Sequence, residues 1–159
     1  METTIMNRQP NLPHRRLYNF LLRRSWADQW LVVQVYCLLG FTRLAINTLP
    51  FLRLERLLGQ RMAETAEEAP IVHLRQAHKI AWAIRTVSPY TPWTSNCFPQ
   101  ALTAKILLRR RGISSTLYMG AAFKEGGAAL EGHAWLRCGP MYVTGGDGSK
   151  HYVAVATFG

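Results

Sequence analysis

Apolar residues recur at helical spacing over residues 15–39, with Arg15, Arg16, Arg23 and Arg24 on the opposite side, which predicts an amphipathic helix. The pattern resumes over 42–58, where Pro50 lacks an amide hydrogen and is expected to kink or split the second helix. Gly59 is a natural stop, and Glu64-Thr65-Ala66-Glu67-Glu68-Ala69-Pro70 is a polar connector. A third helix fits 71–87, with Leu74, Ala77, His78, Ala81, Trp82 and Ile84 as its apolar stripe. Ser88-Pro89-Tyr90-Thr91-Pro92 breaks it. A fourth helix is expected from Ser95 or Asn96 to Arg111. Either side chain can cap the first amides, Pro99 suits the first turn, and Gly112 closes the end.

Beyond Gly112 the period shortens. Residues 116–120, 132–137, 141–144 and 152–158 read as strands, with Gly126-Gly127 in a loop and Gly139-Pro140 as a turn. Helices first and a strand meander later define an α+β fold, in which a cysteine-bearing helix packs on a small antiparallel sheet. Three regions follow: a polar arm over 1–13 with Pro10 and Pro13, an N-terminal helical region over 14–69 suited to partner docking, and a core over 70–159. No repeat or low-complexity tract interrupts this order.

The most apolar stretch, 31–41, is about half the ~20 residues of a membrane-spanning helix. It contains Gln34 and is flanked by Asp28 and Arg43, so a buried core helix is expected. The alternative is a helix docked on a membrane-associated partner or lying at the interface. Nineteen Lys and Arg against nine Asp and Glu give a net charge of +10, which attracts acidic peptides, nucleic acids or anionic membranes without choosing among them. The arginines form no known nucleic-acid module, so nucleic acid is not an expected partner. Met1-Glu2-Thr3-Thr4 lacks the order of a secretory signal, and three cysteines, Cys37, Cys97 and Cys138, make no disulfide framework. The cytoplasm is the expected compartment.

Cys97 changes the picture. A thiol in the first turn of a helix meets unpaired amides and the positive end of the dipole, which favour the thiolate. The same amides can face a developing oxyanion. A base must take the thiol proton and return it to the leaving group, and His133, on a strand after Gly132, is the candidate. Trp135 shares its strand face and can shield the imidazole. A third group should orient the ring. If the strand turns at Gly139-Pro140, Cys138 pairs with Met141 and His133 falls opposite Gly146. One residue of slip, or a bulge at Gly145-Gly146, brings Asp147 there instead. Asp147 is favoured over Glu131, which lies along the strand rather than across it. Trp93 and Gln100 are candidates to line the cleft. No cofactor is expected. A zinc site from Cys97, His133 and Cys138 is a weak rival, lacking CxxC or HExxH, with His73 and His78 badly spaced to share a face. A non-catalytic basic scaffold or a nucleic-acid-binding protein is the alternative to an enzyme, and transfer to an amine rather than water is open to the same dyad.

Ser95-Asn96-Cys97-Phe98-Pro99-Gln100-Ala101-Leu102, then Leu107-Leu108-Arg109-Arg110-Arg111-Gly112-Ile113, then Gly132-His133-Ala134-Trp135-Leu136 resemble the lasso-peptide maturation proteases. These are transglutaminase-like, papain-like cysteine peptidases that remove the leader from a ribosomally made precursor. The resemblance covers about residues 71–159. It implies Cys97 as nucleophile, His133 as base and an Asp on the following strand. Here Val143-Thr144-Gly145-Gly146-Asp147 brings the Asp slightly late, with glycine where it is expected. It also implies three partners: the precursor leader, a small PqqD-like leader-binding protein and an ATP-dependent lasso cyclase. The short chain looks like the stand-alone type, with its N-terminal helices as the docking surface.

Overall fold

The computed structural model describes residues 24–123 and 129–159. The 1–13 arm, the start of the first expected helix and the Gly126-Gly127 loop lie outside the described residues. Among the described residues four α-helices precede a four-stranded antiparallel sheet: α1 (Trp26–Thr48), α2 (Phe51–Leu58), α3 (Ile71–Val87) and α4 (Cys97–Arg109), then β1 (Thr116–Phe123), β2 (Leu130–Cys138), β3 (Met141–Thr144) and β4 (Val153–Phe158). The α+β expectation holds.

The first helix does not stop near Leu39. It runs unbroken through Gly40 to Thr48, and the break falls at Leu49-Pro50, where Leu49 is extended as the residue before a proline prefers. The Trp93 ring lies against the helical Gly40, where a Cβ would sit 2.9 Å from that ring. The continuous α1 is therefore long and apolar enough to cross a membrane. One of its faces, however, buries Leu31, Val35, Leu38, Leu39, Thr42 and Ala45 against α3 and α4. On α3 the buried stripe is Ala77, Ile80, Ala81, Ala83, Ile84 and Val87, and His78 is exposed. The stripe is rotated from the expected one because α1 and α4 cover α3 from two directions.

α1 and α4 run antiparallel. Thr42 Oγ1 meets Thr103 Oγ1 at 3.2 Å, while Trp30, Val33 and Gln34 lie beside Ile106, Arg109 and Arg110. One buried cluster joins Leu31, Val35 and Leu39 of α1 to Leu117, Leu136 and Phe158 of the sheet. The helical region and the core thus share one interior.

The sheet order is β3-β2-β1-β4. The meander covers only β1 to β3; β4 returns to the far edge and pairs with β1, and Arg61, just after α2, bridges to Phe158 at its end. The β2–β3 hairpin turns at Gly139-Pro140 and pairs Cys138 with Met141, as expected. Two buried cations brace the sheet. Lys105 of α4 donates to the carbonyls of Ser115 and Phe158, and Arg137 donates to Gly139 O, Thr65 O and Tyr118 Oη.

Candidate active site

Cys97 opens α4, half-buried and packed on the core cluster. Asn96 occupies the cap position in an extended conformation but makes no side-chain cap hydrogen bond. The Cys97 and Phe98 amides of the first turn therefore have no side-chain acceptor at the cap, and Pro99 brings none to satisfy. Such a turn can stabilise a thiolate and receive an oxyanion. The chain leading into it is held from three sides. Ser95 Oγ and Thr91 Oγ1 are 2.8 Å apart, Gln100 Nε2 donates to Ser95 O at 2.7 Å, and Trp93 rests on α1, 5.2 Å from Tyr36. Gln100 and Trp93, the expected cleft residues, thus act as braces of the Cys97 turn.

His133 sits in β2 opposite Gly120 of β1. Its ring lies between two aromatics, with centroids 4.9 Å from Tyr152 and 5.8 Å from Trp135. Trp135 in turn stacks on Tyr118 at 5.4 Å. A Cβ at Gly120 would lie 2.7 Å from Trp135 and 3.0 Å from Tyr152, so this glycine makes room for the aromatic layer. Gly132 makes no such room, since a Cβ there meets nothing nearer than 3.9 Å.

His133 Nε2 is 2.8 Å from Gly145 O. A carbonyl only accepts, so Nε2 carries the hydrogen, and in the neutral ring Nδ1 keeps its lone pair. This leaves Nδ1 as the basic atom. The orienter expected at Asp147 is replaced by a backbone carbonyl. The anticipated one-residue slip does occur, at Leu136/Arg137, where the register shifts so that Leu136 faces Thr144. The chain leaves the sheet at Thr144, however, before the slip can carry Asp147 across from His133. Gly145 turns into the left-handed region with φ 69°, and a 3-10 helix over Gly146–His151 follows, with Asp147 exposed on it. A Cβ at Gly145 would stand 3.1 Å from His133 Nε2 and 2.5 Å from Ala134 O.

Tyr152 stacks on His133, and its phenol is held above the usual range first by burial, then by the negative charges of Glu131 and of Cys97. The sequence reading missed Tyr152, Gly120 and the Gly145 carbonyl. Only the Gly145-Gly146 pair carried a signal, as a potential bulge. Cys138 lies on the core side of β2, where burial pushes its thiol up and the Arg137 charge partly offsets this. Among the described residues, no three His, Cys, Asp or Glu side chains gather as a metal site would require.

A thiol opening a helix, braced against an antiparallel sheet that carries an oriented imidazole, is the layout that acyl transfer through sulfur uses. The chain belongs to the transglutaminase-like superfamily, whose family model matches residues 43–157 and whose members are typically cysteine-based enzymes. No curated protein and no solved structure matches it.

Proposed function

We propose that this protein is a cysteine peptidase that removes the leader from a ribosomally synthesised lasso-peptide precursor. His133 Nδ1 takes the Cys97 proton, and the thiolate attacks the scissile carbonyl. The Cys97 and Phe98 amides receive the oxyanion. The imidazolium gives its proton to the leaving amine, a thioester remains on Cys97, and water cleaves it with His133 again as base. The Gly145 carbonyl keeps Nε2 protonated throughout, and the Tyr152 and Trp135 rings hold the imidazole plane.

The observation that carries this reading is the His133 Nε2–Gly145 O bond of 2.8 Å, which directs the free lone pair to Nδ1 on a strand packed beside the Cys97 helix. The motifs around Cys97, Arg109 and His133 support the leader-removing class, and the +10 charge suits an acidic leader. In this reading the protein works in the cytoplasm with a PqqD-like leader-binding protein and passes the core peptide to an ATP-dependent cyclase. The test is incubation of a candidate precursor with the leader-binding protein and the full chain. Cleavage is expected with wild type and lost with Cys97→Ala and His133→Ala. Cleavage that survives Cys97→Ala, or a Cys97 no more reactive to alkylation than a free thiol, rejects it in favour of the basic scaffold.

A further inference from the structure

The buried side of α1 accounts for only half of that helix. Its other side shows Trp26, Trp30, Val33, Phe41 and Leu44 to solvent, at 87%, 63%, 49%, 54% and 60% exposure. With the exposed Cys37 these positions advance by three or four residues and form one stripe along about 27 Å of helix. Midway, the stripe becomes one wall of a groove of about 930 Å³, whose other wall is Ile106, Arg109 and Arg110 at the C-terminal end of α4. Singly exposed apolar side chains need no explanation, but a contiguous concave patch does.

We propose that this groove docks an acidic amphipathic helix of a partner protein. Three observations select that occupant. The groove is concave and lined by large apolar side chains, the form that accepts the anchor residues of a helix; a flat bilayer surface would leave it unfilled. Among the described residues its only charged lining groups are Arg109 and Arg110, and neither has a carboxylate partner there. A second copy of this chain would bring those arginines and another +10 charge against the same face. Carboxylates flanking apolar anchors are the complement the groove lacks. The site is separate from the chemistry. Arg109 is twelve residues along α4 from Cys97, about 18 Å. The docking therefore stands whether or not Cys97 cleaves a peptide.

The test uses the full chain and a fluorescent helical peptide of about five turns, with Leu and Phe at positions i, i+4, i+7 and i+11 and Glu on both flanks. A twin with Lys for every Glu and a scrambled peptide of the same composition are the controls, read by fluorescence anisotropy. The acidic peptide should bind at least about tenfold more tightly than either control. Val33→Glu and Phe41→Glu, both at exposed positions, should abolish that binding while leaving the melting temperature unchanged. The double variant Arg109→Glu, Arg110→Glu should reverse the preference toward the Lys twin. Equal binding of the scrambled peptide, full binding by both folded glutamate variants, or no reversal of preference overturns the proposal. So does a twofold mass in sedimentation that Val33→Glu abolishes, which would assign the face to a second copy. Flotation with phosphatidylglycerol vesicles in the absence of peptide binding would assign it to lipid and also overturns it.

Discussion

At the scale of the residue, the site turns on one backbone carbonyl. Gly145 can point its oxygen at His133 because it adopts φ 69°, a region glycine enters without steric cost. A methyl group at Gly145 would be strained by that conformation and would stand 2.5 Å from Ala134 O. Gly145→Ala should therefore destabilise the fold by about 1–3 kcal/mol and lower the cleavage rate by about a hundredfold or more. Asp147→Asn should change the rate by less than about fivefold, since the carboxylate faces solvent. Rates of precursor cleavage beside thermal melts separate the two. A collapse of activity in Asp147→Asn with Gly145→Ala active would return the orienting role to the carboxylate. Asp147 was the residue that pattern favoured, because a side chain is visible in a sequence and a carbonyl that happens to point the right way is not.

At the scale of the element, α4 carries a nucleophile at one end and a buried cation in its middle. Lys105 is 4% exposed, and its ammonium meets the carbonyls of Ser115 and Phe158 where β1 begins and β4 ends. Burial, and then the charge of Arg109 one turn away, lower its pKa from the usual 10.5 to about 8. Between those two values the unfolded chain holds more protons than the folded one, so this group makes stability rise with pH across that window. The rise is bounded at about 3 kcal/mol, 1.36 kcal/mol for each pH unit of the gap. Unfolding of wild type and Lys105→Met by urea at pH 7, 8, 9 and 10 measures it. Wild type should gain stability relative to the variant as pH climbs; parallel profiles would show that Lys105 is not desolvated as the packing implies. The cysteine at the helix start was legible from Ser95, Asn96 and Pro99. The lysine's role was not, because its acceptors lie 10 and 53 residues away.

At the scale of the whole molecule, α1 is part of the site's foundation. The Trp93 ring lies against Gly40 of α1, four residues before Cys97 in the chain. The α1–α4 contact is closed by Thr42, whose hydroxyl also approaches Pro99 O at 3.4 Å. Gly40→Val places a branched side chain where the indole now sits. It should cost about 1–3 kcal/mol through overpacking and displace the segment that presents the thiol. The expected result is a lower melting temperature together with a changed alkylation rate at Cys97. Retention of both would show that the helical region is mechanically independent of the catalytic turn. Superfamily similarity begins at residue 43, inside α1, so the segment of this helix before it lies outside the matched region while still packing on the shared core.

Short-range forces settled what the sequence alone determined. Hydrophobic periods of 3.6 and 2 marked helices and strands. Proline and glycine marked the Pro50 break and the Gly139-Pro140 hairpin, and the Ser95-Asn96 and Pro99 pattern marked the start of the Cys97 helix, although the expected side-chain cap at Asn96 does not form. Each depends on residues a few places apart. The passage of α1 through Gly40, the return of β4 to the edge of β1, the aromatic layer over Gly120 and the carbonyl that orients His133 were decided by tertiary structure. Those depend on partners tens of residues away, whose packing outweighs the local propensity of any one segment.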